Sequence, residues 1–138
     1  MAVWLRRGGM GLALLLAALV LSGCRAREVP AVRVELDGAA WDGEPVSPGE
    51  GLRVYISLDG QPLLDVPFDE SREIVVRQDG VGENAVAITG EAVYMRHADC
   101  DNQDCVQMGA VTRDNLELRV MGGFIICLPH KLSVEVRE

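Results

Sequence analysis

The chain predicts an all-β domain, a small barrel or sandwich of about eight short strands with at most one or two helical turns. Three observations lead there. Short apolar/polar alternations recur along residues 32–138, the period of half-buried strands. Asp37-Gly38, Asp59-Gly60 and Asp79-Gly80 place turn dipeptides between them. Beyond the N-terminal apolar run, nothing keeps a helical period for more than a turn or two.

In order, Ala31–Leu36 alternates and ends at Asp37-Gly38. Residues 41–51 form a loop rich in Pro and Gly, in which Trp41 is expected to plug one end of the core. Leu52, Val54, Ile56 and Leu58 mark one face of the next strand. Leu63–Phe68 is shorter, and Pro62 and Pro67 assign it to a sheet edge. Glu73–Arg77 follows, then turns at Asp79-Gly80 and Gly82–Asn84. Ala85–Thr89 and Ala92–Arg96 read as strands joined through Gly90. Asp104–Met108 predicts one helical turn closed by Gly109. Leu116–Val120, Phe124–Cys127 and Leu132–Val136 complete the expected strands, with Gly122-Gly123 as a turn.

The first residues precede this domain. Arg6 and Arg7 lead a ten-residue apolar run, Leu12–Leu21, too short for a stable membrane span. Leu21-Ser22-Gly23-Cys24 then resembles the lipobox of bacterial lipoproteins, in which small residues admit a signal peptidase and the cysteine sulfur receives a diacylglycerol. The expected layout is a signal peptide over 1–23, a lipidated Cys24 with a tether to residue 31, and the β domain over 32–138. The expected place is the extracytoplasmic side of a bacterial cell envelope. Removing 1–23 from the 138 residues leaves 115, with 11 basic and 21 acidic side chains and a net charge of −10. Such a domain repels phosphate backbones, so no nucleic-acid partner is expected. Its partners are instead the lipid membrane, through Cys24, and an envelope protein.

Three cysteines remain: Cys100, Cys105 and Cys127. Together with Gly82-Glu-Asn84, Ile88, Gly90, Val93, Val106, Gly109 and Leu128-Pro-His-Lys131, they resemble the NusG domain II family, named after an insert of some NusG transcription factors. Asp101 stands where family members often carry Pro, and the link from Gly109 to Cys127 is longer than usual, with 115–123 as the extra stretch. The resemblance implies a compact β fold in an exported or membrane-anchored protein. Members encoded near membrane redox or flavin-attachment functions imply a second role, a redox accessory protein acting through thiol/disulfide or flavin-linked electron transfer.

The cysteines admit three chemistries. A disulfide suits an oxidising compartment, and an odd count leaves one thiol over. Cys100, Cys105, Cys127 and His130 could close a tetrahedral zinc site, with His97 as a spare ligand. A reactive thiol needs a lowered pKa, and Asp99, Asp101, Asp104 and Asp114 oppose that more strongly than Arg96 and Arg113 favour it. The acids begin like a calcium loop but lack its glycine and its closing glutamate. No phosphate loop or nucleophile elbow is present in the sequence. The reading is a non-catalytic binding or accessory domain without a cofactor, with zinc as the alternative.

Overall fold

A computed structural model describes residues 29–43 and 50–138. The signal peptide, Cys24 and most of the tether lie outside the described residues.

Ten strands and one helical turn follow in the order β1 (Val32–Leu36), β2 (Ala39–Ala40), β3 (Arg53–Leu58), β4 (Gln61–Pro67), β5 (Arg72–Gln78), β6 (Gly82–Ile88), β7 (Ala92–Ala98), α1 (Asp104–Gln107), β8 (Val111–Thr112), β9 (Phe124–Cys127) and β10 (Leu132–Arg137). They form two antiparallel sheets, one ordered β2-β1-β5-β6-β7-β8 and the other β4-β3-β10-β9. The sheets face each other as a sandwich and do not close into a barrel. The strands without a counterpart among the expected ones are β2 and β8, two residues each and too short to show a period. As the two prolines require, β4 lies at an edge.

The core is the inward half of each alternation. Val54, Ile56, Val66, Ile125, Leu132 and Val134 from the smaller sheet meet Ile74, Val76, Val86, Val93 and Met95 from the larger. All are almost completely buried, and Phe68 closes the layer at one end. Trp41 packs against this cluster as a half-buried residue. On the outer face of the larger sheet, Arg77 pairs with Glu35 and Glu83, joining three neighbouring strands, and Arg96 pairs with Glu73 at 2.5 Å.

Asp37-Gly38 and Asp59-Gly60 both form tight hairpin turns, with positive φ at all four residues. At the first, the Asp37 carboxylate accepts from the Glu73 backbone N–H and from Arg72, both at 2.8 Å. Burial acts to raise its pKa, but these two donors outweigh that and hold it below the ordinary carboxylate value.

Two expectations are corrected. Gly82–Asn84 is not a turn but the start of β6, because residues 79–81 complete the reversal with Val81 N–H donating to the Gln78 carbonyl. Leu116–Val120 is not a strand but a series of turns. Among the described residues its alternation faces no partner strand, and Leu118 and Val120 are exposed. Its organiser is Arg119, whose guanidinium donates to the carbonyls of Met108, Ala110, Gly122 and Phe124 at 3.0–3.4 Å. Four hydrogen bonds from one guanidinium thus hold a loop that apolar pattern alone cannot hold.

The strand registers define two ends of the sandwich. At one end the chain enters β1, with Asp79 N–H bonded to the Ala31 carbonyl. The turns at 59–60, 79–81 and 128–131 lie there too, tied by Asp59 N–H to the Lys131 carbonyl and by the Gln78 side chain to the His130 carbonyl. At the opposite end lie the turns at 37–38 and 89–91, the 113–123 loop and the last residues of β10.

Candidate functional site: a buried trio of thiols

Residues 99–110 leave β7 of the larger sheet, form α1 and reach β8. On the way α1 packs on both β7 and β9, so the segment closes the open side of the sandwich. Cys100 follows β7, Cys105 sits on α1 and Cys127 ends β9. The three sulfurs, drawn from both sheets and the helical turn between them, lie within 4.8 Å of one another. Cys100 and Cys105 are 3.8 Å apart, contact distance and not bonding distance, and all three are free thiols. The disulfide expected from the compartment is therefore not shown. Exposures of 5%, 1% and 1% keep the trio from solvent.

Gln103 shapes the loop. Its amide donates to the carbonyls of Ala98 and Cys100, both at 2.6 Å, and its backbone adopts positive φ before α1 begins. Met108 places its sulfur 3.3 Å from the Ile126 N–H. Sequence alone offers no signal for either contact, since Gln and Met at these spacings fit any exposed turn.

Burial pushes the Cys105 thiol up to about 12 from 9.0, and its neighbours Cys127 and then Cys100 add to the rise. A folded pKa above the unfolded one stabilises the fold fully below pH 9, and that contribution fades as pH climbs toward 12. In the presence of a chelator, the stability advantage of the native chain over Cys105→Ala is expected to shrink across that range. Urea titrations at stepped pH measure it, and a constant difference contradicts the assignment.

His130 is placed elsewhere. It is 4% exposed, and its Nδ1 lies 2.8 Å from the Asn84 side-chain oxygen. Its Nε2 faces the Asp99 carboxylate at 3.4 Å, and the same carboxylate accepts from the Glu83 N–H at 2.7 Å. Asn84 is itself fully buried. Gly82 backs the ring so closely that a Cβ there would stand 2.5 Å from Nε2. Thus His130 locks the 128–131 turn to β6 and does not join the sulfurs. His97 is exposed on β7, and Asp101 and Asp104 are exposed beside the thiol loop.

A concave region of about 820 Å³ lies on the outer face of the smaller sheet. Trp41, Tyr55, Leu63, Arg53, Asp65 and Arg137 are among its walls. The Arg53–Asp65 pair closes at 2.6 Å, and the Arg137 guanidinium lies 4.2 Å from the Tyr55 ring centre. Alternation along β3 predicts which residues face outward, but not that they line a concavity.

Comparisons with known proteins agree with this architecture. A family model described as NusG domain II matches residues 44–138. Among solved structures, a Listeria innocua protein superposes with a TM-score of 0.53 at 23% identity, over 63% of this chain and 95% of the other. A DUF1312 family protein from Ruminococcus gnavus gives 0.51 at 28% identity, over 64% and 100%. Another, from Enterococcus faecalis, gives 0.54 at 16% identity, over 63% and 97%. No match is found among curated proteins.

Proposed function

The chain belongs to the NusG domain II family, and from that premise we propose that it is a lipid-anchored cell-envelope protein whose sandwich is a non-catalytic binding or accessory module. The observation that carries the binding role is the concavity walled by Trp41, Tyr55 and Leu63. It presents aromatic and apolar surface beside one fixed ion pair, the mixture that partner-binding surfaces use. Anchoring is supported by the order of charge, apolar run, small residues and cysteine over Arg6–Cys24. The acidic charge opposes nucleic acid, and three buried thiols, with that of Cys105 pushed up by burial, suit packing better than nucleophilic attack.

The test is fractionation of cells that express the chain. Wild type is expected in the membrane fraction with an acylated Cys24, and Cys24→Ala in the soluble fraction. Retention of Cys24→Ala on membranes contradicts the anchor. For the binding role, a photo-cross-linker at Leu63 is expected to trap an envelope protein that one at Glu91 does not. Equal yields at both positions contradict the assignment of the concavity.

The proximity of the three sulfurs supports a second reading, a redox accessory protein using Cys100, Cys105 and Cys127. Thiol counting across envelope-range potentials decides it: no change in thiol number rejects the redox role.

A further inference from the structure

Three sulfur atoms from three separate elements converge in the sandwich where ordinary packing would place aliphatic carbon. Together they form a donor set. An ion held at about 2.3 Å from each of three sulfurs in a plane needs those sulfurs about 4 Å apart. Here one pair stands at 3.8 Å and the whole trio lies within 4.8 Å. Both values lie within about 1 Å of that spacing.

The number of donors selects the ion. Structural zinc takes four ligands, and zinc with three protein ligands keeps a water in the open position. The only imidazole that the Cys127-Leu-Pro-His130 spacing offers is engaged by Asn84 and Asp99. At 5% exposure or less, the trio also leaves little access for a bound water. Thiolate-rich sites with few donors suit a soft monovalent ion. The exposed carboxylates of Asp99, Asp101 and Asp104 surround the loop that covers the sulfurs and favour the approach of a cation.

We infer that Cys100, Cys105 and Cys127 form a three-sulfur site for a soft monovalent metal ion of the copper(I) type, without His130. Each sulfur that ligates gives its proton to solvent and forms one metal–sulfur bond, and no electron is transferred. The inference does not depend on the anchoring or partner-binding reading. It ties the two sheets through the metal as well as through packing.

The test uses the full chain in detergent, reduced under anaerobic conditions, in a Cys24→Ala background so that only three thiols report. Copper(I) is supplied from a competing chelator. One ion per chain is expected, with all three thiols protected from alkylation and X-ray absorption showing sulfur alone around the metal. Single Cys→Ser variants are expected to weaken binding beyond the about 10–100-fold loss typical of outer-shell changes, whereas His130→Asn keeps the stoichiometry. Should a serine variant fail to fold, the absorption spectrum of the loaded parent chain still decides. Preferential uptake of zinc with a nitrogen neighbour overturns the inference. So does failure to take copper(I), whether the thiols stay free or a two-hydrogen mass loss marks a disulfide.

Discussion

Replacing Gly123 by alanine is expected to destabilise the domain by about 3 kcal/mol or more, within the range that backbone-level clashes reach. The cause is close approach. A Cβ at Gly123 would stand 2.1 Å from the Val136 carbonyl oxygen and 3.1 Å from the Leu116 side chain. That carbonyl cannot retreat cheaply, because the Val136 N–H donates to the Gly123 carbonyl at 2.9 Å. The next pair along, Phe124 and Glu135, begins the β9–β10 ladder. An alanine therefore pries open the start of β9 and, with it, the strand that carries Cys127. Gly122→Ala is the control. Its nearest neighbour is 3.9 Å away, and only its φ of 54° opposes a side chain. That cost is about 1–2 kcal/mol. Urea unfolding of both variants tests the contrast, and equal losses at the two glycines contradict it.

Phe68→Ala carries the other large effect, about 3–5 kcal/mol by analogy with deleted core aromatics. The ring is fully buried at the end of the sandwich, and the Arg113 guanidinium lies 5.1 Å from its centre. The backbone around it is pinned by its own N–H, which donates to the Leu52 carbonyl at 3.0 Å. The surroundings therefore have little freedom to collapse into the space left behind, and a cavity persists. Arg113 also loses the ring beneath it but keeps its pairing with Asp69. A loss below about 1 kcal/mol in denaturant titration would show that the core end is loosely packed.

Much of the frame was legible because it is local. Leu52 to Leu58 alternates since β3 has one face in the core, and the two-residue Asp-Gly turns fix the hairpins around β1 and β3. The helical turn at Asp104–Gln107 was readable from its closing glycine. Local pattern misleads where a longer-range contact outweighs it. Leu116–Val120 looks like a strand until Arg119 gathers four carbonyls around itself. Gly82 looks like a turn residue, yet it is small to make room for a histidine 48 positions later. The same limit applies to the cysteines. Their residue types and order pointed to a cluster, but that His130 bonds to Asn84 and not to the sulfurs depends on how two sheets stack.

The position at which the chain enters β1 has a further consequence for a molecule anchored at Cys24. Six residues separate Cys24 from Ala31, a leash of about 25 Å when fully extended. A leash that short orients the body it holds. Under the proposed anchor it would keep the end that carries the 59–60, 79–81 and 128–131 turns toward the lipid headgroups, with Leu128 exposed among them. The 113–123 loop, with Leu118 and Val120 uncovered, then points outward, about 23 Å farther along a seven-residue strand. With that anchor, a partner in the same membrane would meet the flanks of the sandwich, and one arriving from the aqueous side would meet the loop that Arg119 ties together.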